Sequence, residues 1–108
     1  MSDRQLRVES LLREMIATYV VGEANPDPLI TITAVSISPD LRNATVFFTT
    51  IPDSKEQAAL VFLKRAGSDI RRFVQKKSNL KITPNFDFAV DSGERARQYL
   101  DTVAKNIK

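Results

Sequence analysis

The chain has 108 residues, 43% hydrophobic and 27% charged, with a net charge of +3 and neither cysteine nor histidine. That length fits one domain with one modest core, so a single domain over residues 1–108 is expected. The composition removes disulfides, thiolate nucleophiles, imidazole bases and every common zinc ligand except carboxylate, so neither a cofactor nor an enzymatic role is expected.

The first helix is predicted from about Asp3 to Val20, where Val8, Leu11, Leu12, Met15, Ile16 and Tyr19 share one face at 100° per residue. Ser2 and Gln5 have capping-box spacing, and Gly22 followed by Asn25-Pro26-Asp27-Pro28 is read as the stop. Because this charged, amphipathic segment is no secretory core, and no apolar run approaches the roughly 18 residues of a membrane span, a cytoplasmic protein is expected.

Leu29 to Ser38 is rich in β-branched residues and reads as a strand whose apolar phase shifts near Ala34-Val35. A bulge, or burial on both faces, would account for that shift. Pro39-Asp40-Leu41-Arg42-Asn43 is a turn, and Ala44 to Thr50 a second, antiparallel strand. Ser54 with Gln57 has the spacing of a helix cap, and the helix runs to about Arg65 with Ala59, Phe62, Leu63 and Ala66 on one face. A strand over Leu60–Leu63 fits that cap less well.

Ala66-Gly67-Ser68 interrupts the pattern, which resumes from Asp69 to Lys77 with Ile70, Phe73 and Val74 inward and Arg71, Arg72 and Lys76 outward. A helix pair kinked at Ala66, Gly67 and Ser68 is expected, the glycine giving the junction its freedom. Phe86, Phe88 and Val90 alternate as a third strand, and strands separated by a helix pair can lie parallel, so a mixed sheet is expected. Asp91 with Glu94 is read as the cap of a last helix striped by Ala96, Tyr99, Leu100, Val103, Ala104 and Ile107. The fold class is therefore α+β, in the order α-β-β-α-α-β-α, with a mixed three-stranded sheet.

Charge is not spread evenly along this order. Lys64, Arg65, Arg71, Arg72, Lys76, Lys77 and Lys81 oppose only Asp69, so residues 64–81 carry +6 and the remainder −3. A cationic face on an otherwise acidic molecule attracts a polyanion and leaves the other surfaces repelling it, so these seven are the candidate RNA-binding residues. The plainer alternative is a solvated, lysine-rich helix face.

Three stretches carry a resemblance to a known family. These are Arg7-Val8 with Leu11-Leu12-Arg13-Glu14, the run from Val35 to Val46 through Ser38-Pro39-Asp40-Leu41-Arg42-Asn43, and the run from Leu80 to Phe88 followed by Asp91-Ser92. In order and spacing they resemble the ribosome-binding factor A family, and the likeness spans Arg4 to Ile107. That resemblance implies a type II KH-like fold and a factor that binds the small (30S) ribosomal subunit and its 16S rRNA late in maturation. Family members replace the Gly-x-x-Gly loop of ordinary KH domains with a helix–kink–helix containing Ala-x-Gly. Here the three residues are Ala66-Gly67-Ser68, so serine stands at the usual glycine; the only other glycines are Gly22 and Gly93.

The remaining candidates read as structural. Phe47, Phe48, Phe73, Phe86 and Phe88 occupy alternating or striped positions and are expected in the core rather than on RNA bases. Asp40 fits a turn, Asp91 a cap, and Arg7 and Arg42 plain surface sites. With no phosphate-loop glycines and no nucleophile–base pair, neither a small-molecule substrate nor a metal is expected. The competing functions are an RNA-binding assembly factor, a module that docks its basic face on an acidic protein, and a carboxylate-dependent enzyme. No spare amphipathic face demands a dimer, so a monomer is expected.

Overall fold

The computed structural model describes residues 3–23 and 29–91. Helix α1 (Asp3–Glu23) leads to strands β1 (Leu29–Ile37) and β2 (Asn43–Ile51), a 3-10 turn (Asp53–Lys55), helices α2 (Glu56–Arg65) and α3 (Gly67–Lys77), and strand β3 (Asn85–Val90). The last helix expected beyond Asp91, the turn at residues 25–28 and the Ser2 cap lie outside the described residues. Among those described, no helix is long and apolar enough to cross a membrane.

The strands form one sheet in the order β1-β2-β3, with β2 antiparallel to β1 and parallel to β3. The α+β class and the mixed sheet therefore hold. Alternation puts Ile30, Ile32, Val35 and Ile37 of β1, Ala44, Val46 and Phe48 of β2, and Phe88 of β3 on one buried face. Every second residue faces the other way, among them Thr31, Ala34, Thr45, Phe47 and Thr49. The phase shift in β1 is a bulge: the register slips between Ile32 and Ala34, making Thr33 the extra residue. Thr33 uses that position to donate from Oγ1 to Asp91 Oδ2 at 2.8 Å.

Each of the described helices α1, α2 and α3 contributes to one core against the buried sheet face. α1 supplies Val8, Leu12, Ile16 and Val20, α2 supplies Ala59 and Leu63, and α3 supplies Ile70 and Val74. Glu9 fixes how α1 lies along β1, because its carboxylate accepts the Ile37 N–H at 2.8 Å.

Two local expectations need correction. Gly22 does not stop α1, which continues to Glu23; a lone glycine weakens a helix by about 1 kcal/mol and does not break it. Nor does Ser54 cap α2. Ser54 sits inside the 3-10 turn, Lys55 occupies the N-cap position, and no side-chain cap bond forms there. Pro52, extended at φ −76° and ψ 158°, accepts the Lys55 N–H at 3.1 Å, so the chain begins coiling before the serine could cap it.

The helix pair is broken by a single residue. Ala66, at φ −81° and ψ −2°, ends α2 and begins α3, taking the Ile70 N–H on its carbonyl at 2.8 Å. Gly67 is the first residue of α3, and a Cβ built there would meet only Phe88 Cε2, at 3.9 Å. That is ordinary contact, so neither conformation nor space demands glycine.

Two stability measurements check this packing. Leu63 is fully buried and Val61, two residues away, is 48% exposed, as a helix requires and strand alternation forbids. Urea unfolding should show Leu63→Ala losing about 2–5 kcal/mol and Val61→Ala less than about 0.5 kcal/mol; equal losses would contradict the helix. Gly67→Ala should stabilise by roughly 0.4–1 kcal/mol, by restricting the unfolded chain. A loss of stability there would mean that the junction needs glycine after all.

Candidate nucleic-acid interface

The direction of the basic side chains follows from what α3 buries. Ile70 and Val74, one turn apart, are completely enclosed, and Phe73 is half-buried with its ring 5.5 Å from that of Tyr19. This pins the rotation of the helix, so Arg71, Arg72, Lys76 and Lys77 are all exposed. Lys64 and Arg65, in the last turn of α2, and Lys81, in the connection from α3 to β3, are exposed as well. Lysines at the ends of both helices also sit where the helix dipole favours positive charge.

The seven residues are not equivalent. Arg71 donates from Nη2 to the Thr83 carbonyl at 3.2 Å, tying α3 to the segment that enters β3. Arg72 lies 3.8 Å from Asp69, but both side chains are about two-thirds exposed (67% and 63%), so water screens the pair and it contributes little. For Lys64, Arg65, Lys76, Lys77 and Lys81, no ion pair joins them to another described residue.

The segment after α3 is held rather than loose. Thr83 is buried, Pro84 is fully enclosed, and Leu80 packs against the core. Asn85 then donates its N–H to the Arg42 carbonyl at 2.8 Å, joining this segment to the β1–β2 hairpin. Arg42 therefore borders the rim that carries Arg71 and Lys81, a neighbourhood that spacing along the chain could not reveal. Arg7 is exposed on α1, and nothing links it to the group.

The hairpin itself is braced by its polar residues. Asp40 Oδ1 accepts the Ser38 hydroxyl at 2.6 Å and the Arg42 N–H at 3.1 Å. These bonds, the hydroxyl first, favour the charged form and hold the Asp40 carboxyl below the ordinary aspartate range. Leu41 adopts φ 63°, an uncommon conformation for leucine, while its side chain packs on the core. The tip thus combines backbone strain with an apolar anchor.

The aromatic residues divide in a way composition conceals. Phe48 and Phe88 are core, Phe86 packs partly against it, and Phe73 is half-buried beside Tyr19. Phe47 does not join them. As the neighbour of Phe48 on one strand it must point to the opposite sheet face, where it is half-buried. Nor do Asp87 and Asp91 form a carboxylate pair, being four residues apart, roughly 13 Å along an extended chain. Asp87 accepts the Phe88 N–H at 2.9 Å, and Asp91 is buried against Thr33. No cluster among the described residues could hold a metal ion.

The unequal roles of Arg71 and Arg72 can be measured. Arg71→Ala should cost about 1 kcal/mol, the worth of its hydrogen bond, and speed amide exchange in residues 78–84. Arg72→Ala should cost less than about 0.5 kcal/mol and leave exchange unchanged. Equal effects would show that the bond to Thr83 does not organise the segment.

Comparison with known proteins agrees with this architecture. The family model described as "Ribosome-binding factor A" matches residues 4–104. The ribosome-binding factor A of Coxiella burnetii (strain CbuG_Q212) is 32% identical over 111 residues, covering 100% of this chain and 93% of the relative. The crystal structure of ribosome-binding factor A from Thermus thermophilus superposes with a TM-score of 0.72 at 22% identity, over 80% of this chain and 94% of that one. A homology model of the Thermus thermophilus protein, fitted into a cryo-EM map of its complex with the 30S subunit, gives 0.69 at 20% identity, over 79% and 92%. At these identities the structural likeness establishes the shared α+β fold, with which a KH-like architecture is consistent, and the sequence match extends it to family. The chain belongs to the ribosome-binding factor A family.

Proposed function

We propose that this chain is a non-catalytic late maturation factor of the small ribosomal subunit, binding its 16S rRNA through the basic face of α2, α3 and the segment after them. The observation that carries this reading is the exposed set Lys64, Arg65, Arg71, Arg72, Lys76, Lys77 and Lys81, of which the four on α3 are oriented by the burial of Ile70 and Val74. Arginine grips phosphate with a planar fork and lysine with a mobile point charge, so such a face follows a backbone without needing one sequence. The junction at Ala66, with Gly67 and Ser68 opening α3 directly after it, sets the angle between the two charged helices. Membership of the family adds weight, since the related Thermus protein is described in complex with the 30S subunit. In this reading the chain acts as a monomer in the cytoplasm.

The test is binding to 16S rRNA and to 30S subunits across a salt series. If about four phosphates are neutralised, the log–log slope should be near −3 for single-stranded-like RNA. Replacing Lys64, Arg72 and Lys76 together with glutamine should flatten it by roughly two units and weaken binding. The unfolding midpoint should barely move, because none of the three supports the core. Wild-type affinity and slope in the folded triple variant would overturn the assignment. Binding to a small-subunit protein but not to 16S rRNA would replace RNA with an acidic protein as the partner.

A further inference from the structure

We propose that the groove between α1 and α3 is a slot for one unstacked nucleobase of the bound RNA, with Phe73 as its stacking platform and Lys77 holding the adjoining phosphate. This inference rests on the RNA-binding reading and adds to it a site that reads bases rather than backbone.

The groove is shallow and open to solvent, holds about 340 Å³ and is lined by Glu14, Met15, Thr18, Phe73 and Lys77. That is near the lower bound, roughly 300 Å³, of sites that take small molecules. Its wall is mostly apolar, and its charged residues stand in chemically distinct roles. Phe73 is half-buried and already oriented, because the Tyr19 ring lies 5.5 Å away at 58° and supports it from the side. An oriented ring needs little ordering when a base stacks on it, and a stack accepts any base. Met15 adds a polarisable, adaptable contact.

Charge favours a nucleotide over an apolar peptide side chain. Lys77 belongs both to this groove and to the +6 window, so a chain following the basic face passes the mouth of the slot. No described acid neutralises it within ion-pair distance. Glu14 brings a carboxylate, which at neutral pH only accepts hydrogen bonds. The Thr18 hydroxyl donates to the Glu14 carbonyl at 2.9 Å, so it too meets a ligand as an acceptor. A slot edged by acceptors favours bases that present an exocyclic amino group, as adenine, cytosine and guanine do, over uracil, whose one base N–H donor lies in the ring.

A short single-stranded RNA carrying 2-aminopurine, titrated into the full chain, reports stacking as fluorescence quenching. Wild type should quench the probe and prefer adenine- and cytosine-rich RNA to oligouridine. Phe73→Leu should abolish the quenching and weaken binding about tenfold while leaving the salt slope unchanged, since no charge is removed. Glu14→Ala, an exposed change that spares the core, should remove the preference over oligouridine. If wild type binds no RNA, this slot falls together with the RNA-binding reading. If wild type binds with a steep salt slope but both variants match it in quenching, affinity and base preference, the slot alone is wrong and the phosphate-binding face stands.

Discussion

The orientation of α3 is the constraint from which the rest of this molecule's chemistry follows. Ile70 and Val74 are completely enclosed, so the helix has one rotational setting and the place of each charged side chain around it is fixed. With that setting Arg72 and Lys76 stand opposite the buried stripe, while Arg71 reaches Thr83 and Lys77 lines the α1–α3 groove; the proposed phosphate contacts require fixed positions of this kind and not a diffuse positive cloud. The same setting brings Phe73 beside Tyr19 and opens the groove to Lys77. Core packing and the proposed recognition chemistry are thus two faces of one helix.

The surrounding structure transmits that setting to the hairpin. Arg71 holds Thr83, the buried Thr83-Pro84 pair fixes the entry to β3, and Asn85 holds the Arg42 carbonyl. Each link is modest, since a single hydrogen bond is worth about 1 kcal/mol net. Their importance is geometric. They join the hairpin to elements far from it in sequence along one rim, and Leu41 reinforces the hairpin end by anchoring its strained backbone in the core.

Much of the fold was legible because two periodicities dominate it. The 100° stripe of α1, the β-branched strands and the resumption of the pattern at Ile70 all reflect one buried face per element. The bulge at Thr33 was visible as a change of apolar phase, though not its bond to Asp91, which depends on chain folding over the sheet. Local capping rules failed at Ser54, where Pro52 starts a 3-10 turn earlier than the helix pattern does. Grouping the phenylalanines together as core overlooks the adjacency of Phe47 and Phe48 on one strand, which already requires one of them to face away. For the candidate site, residue types and their outward direction on α3 could be read from the sequence. The bond from Arg71 to Thr83, the place of Arg42 and the α1–α3 groove could not, because each is made by residues brought together only in three dimensions.

The central claim is that one defined face, and not general basicity, meets the ribosomal subunit. Lysine reactivity tests it directly, because Lys55 is exposed on the 3-10 turn before α2, while Lys64, Lys76, Lys77 and Lys81 carry the proposed face. The chain is treated with an amine-acylating reagent, free and bound to 30S subunits, and modification at each lysine is quantified by mass spectrometry. Protection of Lys64, Lys76, Lys77 and Lys81 with Lys55 left reactive is the expected result. Protection centred on Lys55, or none at the four lysines in a stable complex, would contradict the account.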